Sequence, residues 1–116
     1  MDINSTILIG RLTRDPELSY TSGGVAIMEF SIAVNHMKKE EVSFFNCKAF
    51  GKTAENLKPY MQKGKQVCVD GYLKQDRWEK DGKKESRIIV NCESIELLGG
   101  SSENKTEQAY YYEVSK

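Results

Sequence analysis

Three side chains on one strand-like stretch have the chemistry to bind a flat, anionic ligand. The stretch is Val42–Gly51, and a two-residue period places Phe44, Lys48 and Phe50 on the same face. Burying a lysine without a partner is costly, so we predict that this face is turned to solvent while the Phe45 face packs in the core. Two exposed rings with a cation between them fit the bases and phosphates of single-stranded nucleic acid. The opposite interpretation, with both phenylalanines buried, follows the usual preference of phenylalanine but would bury Lys48.

The totals indicate one domain with locally concentrated charge. The chain has 116 residues, 39% of them apolar, and its 17 basic and 17 acidic residues give a formal net charge of zero. Neutrality counts against a nucleic-acid binder, because such domains are commonly basic overall. The charges are nevertheless segregated: residues 48–65 hold five lysines and one acid, and residues 72–87 hold six basic and four acidic side chains. The distribution of charge matters more here than its sum.

Composition favours a cytoplasmic protein without a cofactor. We expect neither a membrane span nor a leader, because no apolar run is long enough for the first and no basic-then-apolar start is present for the second. Cys47, Cys68 and Cys92 are odd in number and lie far apart in strand-like runs. This pattern favours reduced, small core residues over disulfides or a metal site.

The elements that must position the aromatic face are five strands and one helix. Periodicity and turn residues predict strands over Asn4–Leu12, Val25–Asn35, Val42–Gly51, Gln66–Glu79 and Lys84–Leu97. A helix is predicted over Lys52–Lys63, with Thr53 as its cap and Pro59 interrupting it. The last two strands form a long hairpin, because Asp81-Gly82 between them supplies the positive φ angles of a tight turn.

This order of elements predicts an all-β OB-fold. Three strands, one short helix and two further strands make a five-stranded Greek-key barrel with the helix between strands three and four. We assign residues 1–100 to this domain. Residues 101–116 change to a linker-like composition and are predicted to be a short flexible tail. Tyr110–Tyr112 in that tail are compatible with an added edge strand.

Further aromatic and basic residues extend the candidate site. Trp78 lies among Lys74, Arg77 and Lys80, which favours a stacking role over covering the barrel end. Tyr72 shares the parity of Trp78 and fits a further stacking ring or a subunit contact equally well. The phosphate-binding candidates are the basic residues near these rings, namely Arg11, Lys48, Lys52, Lys74, Arg77, Lys83, Lys84 and Arg87.

Several runs, in order, resemble the bacterial single-stranded DNA-binding protein family. Residues 7–12, followed by Asp15-Pro16-Glu17-Leu18, resemble its first strand and turn. Phe50-Gly51-Lys52, with Ala54-Glu55, resembles the exit of its third strand and its helix, and Lys63-Gly64 before Val67 is similar to the family as well. Gly71, Leu73 and Trp78 before the hairpin turn complete a similarity that covers about residues 3–100.

The resemblance implies sequence-tolerant binding of single-stranded DNA by a homotetramer built from pairs of dimers. It also implies base stacking at the positions held here by Phe44, Phe50 and Trp78. The family often has a further tryptophan in the connection after the second strand, whereas residues 36–39 of this chain carry no aromatic ring. The tail departs from the family pattern as well, because it lacks an acidic, phenylalanine-terminated tip of the kind that recruits replication and repair proteins.

Two other functions compete with strand coating. An enzyme is not favoured: apart from Glu40-Glu41 there is no close acidic cluster for a metal, and no nucleophile–histidine arrangement or phosphate-binding loop appears. An OB-fold adaptor of the replication machinery, binding DNA weakly and mainly engaging proteins, remains the alternative. The short tail and the missing aromatic ring leave room for it.

Overall fold

The computed structural model describes residues 2–38 and 40–99, which form six strands and one α-helix. The strands are β1 (Thr6–Leu12), β2 (Glu17–Tyr20), β3 (Ala26–Asn35), β4 (Val42–Phe50), β5 (Gln66–Lys80) and β6 (Lys83–Leu98). Helix α1 (Gly51–Leu57) is followed by a 3₁₀ turn over Lys58–Tyr60. The tail predicted over residues 101–116 and the pairing suggested for its tyrosines lie outside the described residues.

Strand pairing closes the sheet into a barrel. β1 pairs with β5, β5 with β6, β6 with β4 and β4 with β3. β3 then returns to β1 through Arg11↔Ala33 and Leu12↔Ile32. The β4–β6 pair is parallel and the other pairs are antiparallel. Five strands therefore form a ring with the helix between β4 and β5, which confirms the predicted fold class.

The sixth strand corrects the sequence prediction. We predicted a turn after Asp15-Pro16, whereas Glu17–Tyr20 forms β2 and pairs antiparallel with the first half of β3. β1 reaches β3 only at two positions, which leaves the backbone groups of the earlier half of β3 available on that edge. A short strand satisfies them. With four residues, β2 is too brief to show periodicity in the sequence.

The barrel interior follows the predicted parity of β4, and β3 alternates in the same way. Ala26, Met28, Phe30 and Ile32 of β3 are buried. Cys47 and Ala49 of β4 face them, with Phe45 half-buried against the same cluster. Further core residues come from the other strands and the helix, including Leu12, Ala54, Met61, Val67, Val69 and Val90.

The helix is shorter than predicted and is capped differently. α1 begins at Gly51 and ends at Leu57, and its N-cap is Phe50 without a side-chain hydrogen bond, so the predicted Thr53 cap is wrong. Pro59 occupies the start of the following 3₁₀ turn, where its fixed φ angle is tolerated. The predicted interruption at this proline is therefore confirmed.

The long hairpin of β5 and β6 turns at Asp81-Gly82, as predicted, with φ angles of 54° and 78°. Near its base the register shifts: Asp70 pairs with Ser94 but Gly71 pairs with Cys92, so Glu93 is an extra residue in β6. Such a bulge bends the strand and increases its twist. The hairpin therefore leaves the barrel beyond Gly71. Leu73, which strand alternation places on the same side as the buried Val67 and Val69, is 43% exposed as a result.

Candidate nucleic-acid interface

Three aromatic side chains lie on the outer surface, as the sequence predicted. Phe44 is 68% exposed, Phe50 38% and Trp78 42%. Phe44 and Phe50 are on one face of β4, six residues and therefore about 20 Å apart along the strand. We call these three residues the aromatic platform. The rings are spaced along a surface and do not form one compact cluster.

An ion-pair cluster occupies the middle of the platform. Lys48 Nζ donates a hydrogen bond to Asp76 Oδ2 at 3.1 Å and lies 3.9 Å from Glu29 Oε1. Arg87 Nε lies 4.0 Å from the same Asp76 oxygen. Lys48 is therefore already paired with carboxylates and is not a free amine between two rings. These contacts also attach the base of the hairpin to β4.

Trp78 lies two residues beyond Asp76, on the same face of β5. The Arg87 guanidinium lies 5.8 Å from the centroid of its ring, within the range of a cation–π contact. A cavity of about 480 Å³ adjoins the ring and is lined by Arg77 and Lys84, together with Glu79 and Glu85. Strand register places Arg77 opposite Ser86 and Lys84 opposite Glu79, on the other face of the hairpin. These two cations therefore belong to the face of the hairpin opposite to Trp78, although they line the same cavity.

The remaining candidates lie on several elements. Tyr72 is half-buried opposite Asn91, and its two predicted roles stay open. Lys74 is exposed on the Trp78 face of β5, Lys83 is exposed beside the hairpin turn, and Lys52 is exposed two residues after Phe50. Arg11 is exposed on β1 and lines a separate groove with Tyr60.

The thiols of the chain are free. Cys47 and Cys92 are buried, and a hydrogen bond with Cys92, together with burial, raises the pKa of the Cys47 thiol. Burial and the nearby Glu96 and Asp70 raise the pKa of the Cys68 thiol, so it stays protonated near neutral pH. In the described part of the chain no group of three or more potential ligands is placed to hold a metal ion, and no helix is long and apolar enough to cross a membrane.

Two features of this surface were missed by the sequence. Asp76 was counted among the acids of the hairpin, but its contact with Lys48 joins residues 28 positions apart. The groove beside Arg11 gathers Tyr60, Lys63 and Lys65 from a loop that was assigned only to the helix end. The local excess of lysine over residues 48–65 was the one available signal for that groove.

A closed OB-fold barrel with exposed rings on β4 and on its long hairpin defines a single-strand-binding module. Comparison with known proteins gives the family directly. The model of the single-strand binding protein family matches residues 3–98. The chain belongs to this family, which confirms the resemblance drawn from its motifs.

Curated relatives agree with the family match. A protein of Treponema pallidum named single-stranded DNA-binding protein is 44% identical over 104 residues, which are 84% of this chain and 59% of that relative. A protein of Borreliella burgdorferi with the same name is 44% identical over 109 residues, which are 87% of this chain and 73% of that relative. A protein of Staphylococcus aureus with the same name is 40% identical over 115 residues, which are 94% of this chain and 74% of that relative. The chain thus spans about three fifths to three quarters of these relatives.

Replacing Asp76 tests the ion-pair cluster. Asp76→Asn removes the carboxylate that pairs with Lys48 and Arg87, so Arg87 becomes available to phosphates and Lys48 keeps only its 3.9 Å contact with Glu29. We expect affinity for single-stranded DNA to rise about tenfold at low salt, and the salt dependence to steepen by about 0.7 for each additional phosphate that the protein binds. The measurement is a series of oligo(dT) titrations at increasing salt.

The matched control is Asp81→Asn in the hairpin turn. It removes the same charge from the same hairpin, and asparagine tolerates the positive φ angle found there. An equal rise in affinity in both variants would show that the effect comes from the change in net charge and not from the release of Lys48 and Arg87. A loss of affinity in Asp76→Asn would instead show that the carboxylate holds the cations in their binding positions.

Proposed function

We propose that this chain binds and coats single-stranded DNA without sequence preference. The observation that carries the proposal is the solvent exposure of Phe44, Phe50 and Trp78 on one OB-fold of the single-strand binding protein family. Aromatic rings stack on any base, because every base has a π-face. Cations around the rings attract phosphates, which are the same in every sequence. Both interactions are independent of base identity.

Binding by stacking and charge involves no chemical reaction and no cofactor. Stacking of each base contributes about 1–3 kcal/mol, so two or three occupied rings decide the affinity. The exposed Lys74 on the Trp78 face of β5 and the exposed Lys52 near Phe50 supply positive charge, while Lys48 and Arg87 share theirs with Asp76. We assign the chain a binding role rather than a catalytic one, in protecting DNA strands exposed during replication, recombination or repair in the cytoplasm and nucleoid.

The fluorescence of Trp78 provides the direct test. It is the one tryptophan of the chain, so quenching on addition of oligo(dT) reports stacking at a known position. We expect strong quenching at modest salt and similar affinities for dT and mixed-sequence strands of equal length. A duplex of the same length should bind much more weakly, because its bases are not free to stack. Quenching by duplex as strong as by single strands would contradict the proposal.

The same titration separates strand coating from the adaptor alternative. An adaptor would show weak quenching together with tight binding to a replication or repair protein. The family match over residues 3–98 does not favour that alternative.

We also propose that the chain assembles as a homotetramer of paired dimers. β1 pairs with β5 along Thr6–Arg11 but with β3 only at Arg11 and Leu12. In the described part of the chain, residues 6–9 therefore have one edge without a strand partner, and Ile7 beside it is 66% exposed. Such an edge pairs readily with another strand. Mass in solution, measured with and without dT oligomers, tests the oligomeric state.

A further inference from the structure

A groove outside the aromatic platform combines three cations with an exposed tyrosine. Its volume is about 360 Å³, and the described residues that line it include no acid. Tyr60 at its side is 64% exposed. We call it the Tyr60 groove, and its side chains are those of Arg11, Tyr60, Gln62, Lys63, Lys65 and Gln66. An aromatic ring beside clustered basic groups is the combination that binds a nucleotide unit.

The loop that forms this groove is tied to β1. Gly64 N–H donates to Leu12 O at 2.8 Å, and Leu12 N–H donates to Lys65 O at 2.9 Å. Arg11 Nη1 donates to Gly64 O at 3.0 Å, which fixes the guanidinium against the loop. Because these bonds hold the loop in the free protein, little ordering is needed when a ligand binds. A preformed site of this kind loses less conformational entropy on binding.

The cations of the groove retain donors for a phosphate. One nitrogen of the Arg11 guanidinium is used by Gly64 O, and a guanidinium has five N–H donors in all. Lys65 Nζ makes a long contact of 3.4 Å with Gly99 O. The Lys63 ammonium has no partner among the described residues. Asp15, the acid beside this loop, accepts the Lys63 backbone N–H instead.

The groove continues the surface that carries Phe44. Arg11 of β1 is opposite Ala33 of β3, and Ala33 is opposite Phe44 of β4, so the three side chains form one outward row. At a strand spacing of about 4.8 Å, Arg11 lies about 10 Å across the sheet from Phe44. A second cavity of about 190 Å³ is lined by Ala33 and shares Arg11 and Gln66 with the Tyr60 groove. Ala33, which lines this cavity, is the residue between Arg11 and Phe44 in the row.

We propose that the Tyr60 groove is a further binding site for single-stranded DNA, in which a base stacks on Tyr60 and phosphates bind Arg11, Lys63 and Lys65. A strand that leaves the platform at Phe44 enters the groove, so the site lengthens the stretch of DNA held by one subunit. The inference rests on the proposed function, since it concerns the same ligand.

A length series of labelled dT oligomers tests it, with binding followed by anisotropy. The variant is Tyr60→Ala/Lys63→Ala in the full chain. We expect short oligomers to bind it as they bind the unaltered protein, with the same Trp78 quenching. The longest oligomers should bind it at least fivefold more weakly, with a salt slope lower by about 0.7. As the oligomers become longer, the affinity of the variant should stop rising at a shorter oligomer length than the affinity of the unaltered protein does.

The conservative variant Tyr60→Phe/Lys63→Arg is the matched control. It keeps the ring and the charge, so it should follow the unaltered protein at every length. Equal affinity of the alanine variant across the whole series would overturn the proposal, and so would an equal loss at every length. Failure of the unaltered protein to bind any dT oligomer would instead refute the proposed function.

Discussion

Phe50→Ala/Trp78→Ala is expected to lose most of the affinity for single-stranded DNA. Both rings are exposed, and each stacked base is worth about 1–3 kcal/mol, or about 5-fold to 150-fold in affinity. The two residues lie on different elements, so their effects should be close to additive. We therefore expect a loss of about 30-fold to 10⁴-fold. Anisotropy of a labelled dT oligomer measures it, because this variant has no tryptophan.

The fold of the double variant should be unaffected. Replacing exposed residues changes the free energy of unfolding by about 0.5 kcal/mol or less, and a thermal melt checks this. Tyr20→Ala is the matched control, since Tyr20 is 58% exposed on β2 and lies opposite the buried Ala26, on the other face of the sheet from Phe50. Unchanged DNA affinity in a folded double variant would remove stacking at these rings from the mechanism.

Gly71→Ala is expected to destabilise the barrel and to misplace the hairpin. A Cβ at this position would lie 1.9 Å from Asn91 O, so the backbone of β6 has to move. Overpacking of this kind costs about 1–3 kcal/mol and occasionally more. The bulge at Gly71 and Glu93 also sets the direction in which the hairpin carries Trp78. We therefore expect weaker DNA binding and a smaller change in Trp78 fluorescence, with stability measured by urea unfolding.

Gly23→Ala is the matched control for this substitution. Its Cβ would meet Thr21 Oγ1 at 3.8 Å, an ordinary van der Waals contact. Alanine there should leave stability almost unchanged or raise it slightly, because it restricts the unfolded chain. Equal stability of Gly71→Ala and Gly23→Ala would show that β6 adapts to the added methyl group, and the account of the bulge would then be wrong.

Short-range pattern was sufficient to predict most of the fold and the exposed rings. The alternation along Val42–Gly51 separated Phe44 and Phe50 from the core, because a strand turns successive side chains to opposite faces. Asp81-Gly82 located the hairpin turn for a similarly local reason, since few residue pairs adopt two positive φ angles. The family motifs, being short runs in a fixed order, were equally visible.

Contacts between residues far apart in the chain could not be predicted from local sequence pattern. The free Lys48 expected between the rings became an ion pair with Asp76, and the sequence has no local signal for a contact across 28 positions. The strand Glu17–Tyr20 forms because β1 pairs with only two residues of β3. The backbone groups of the first half of β3 are then free to pair with β2, and the sequence does not show where the β1–β3 pairing stops.

By itself, the sequence determined which faces are apolar, where the chain turns and which rings are left outside, since these depend on neighbours one to four positions away. Only the tertiary structure decided which charges neutralise one another and which distant loops meet. The Asp76 cluster and the Tyr60 groove both arise from closing the barrel, because closure brings together strands that are far apart in the chain.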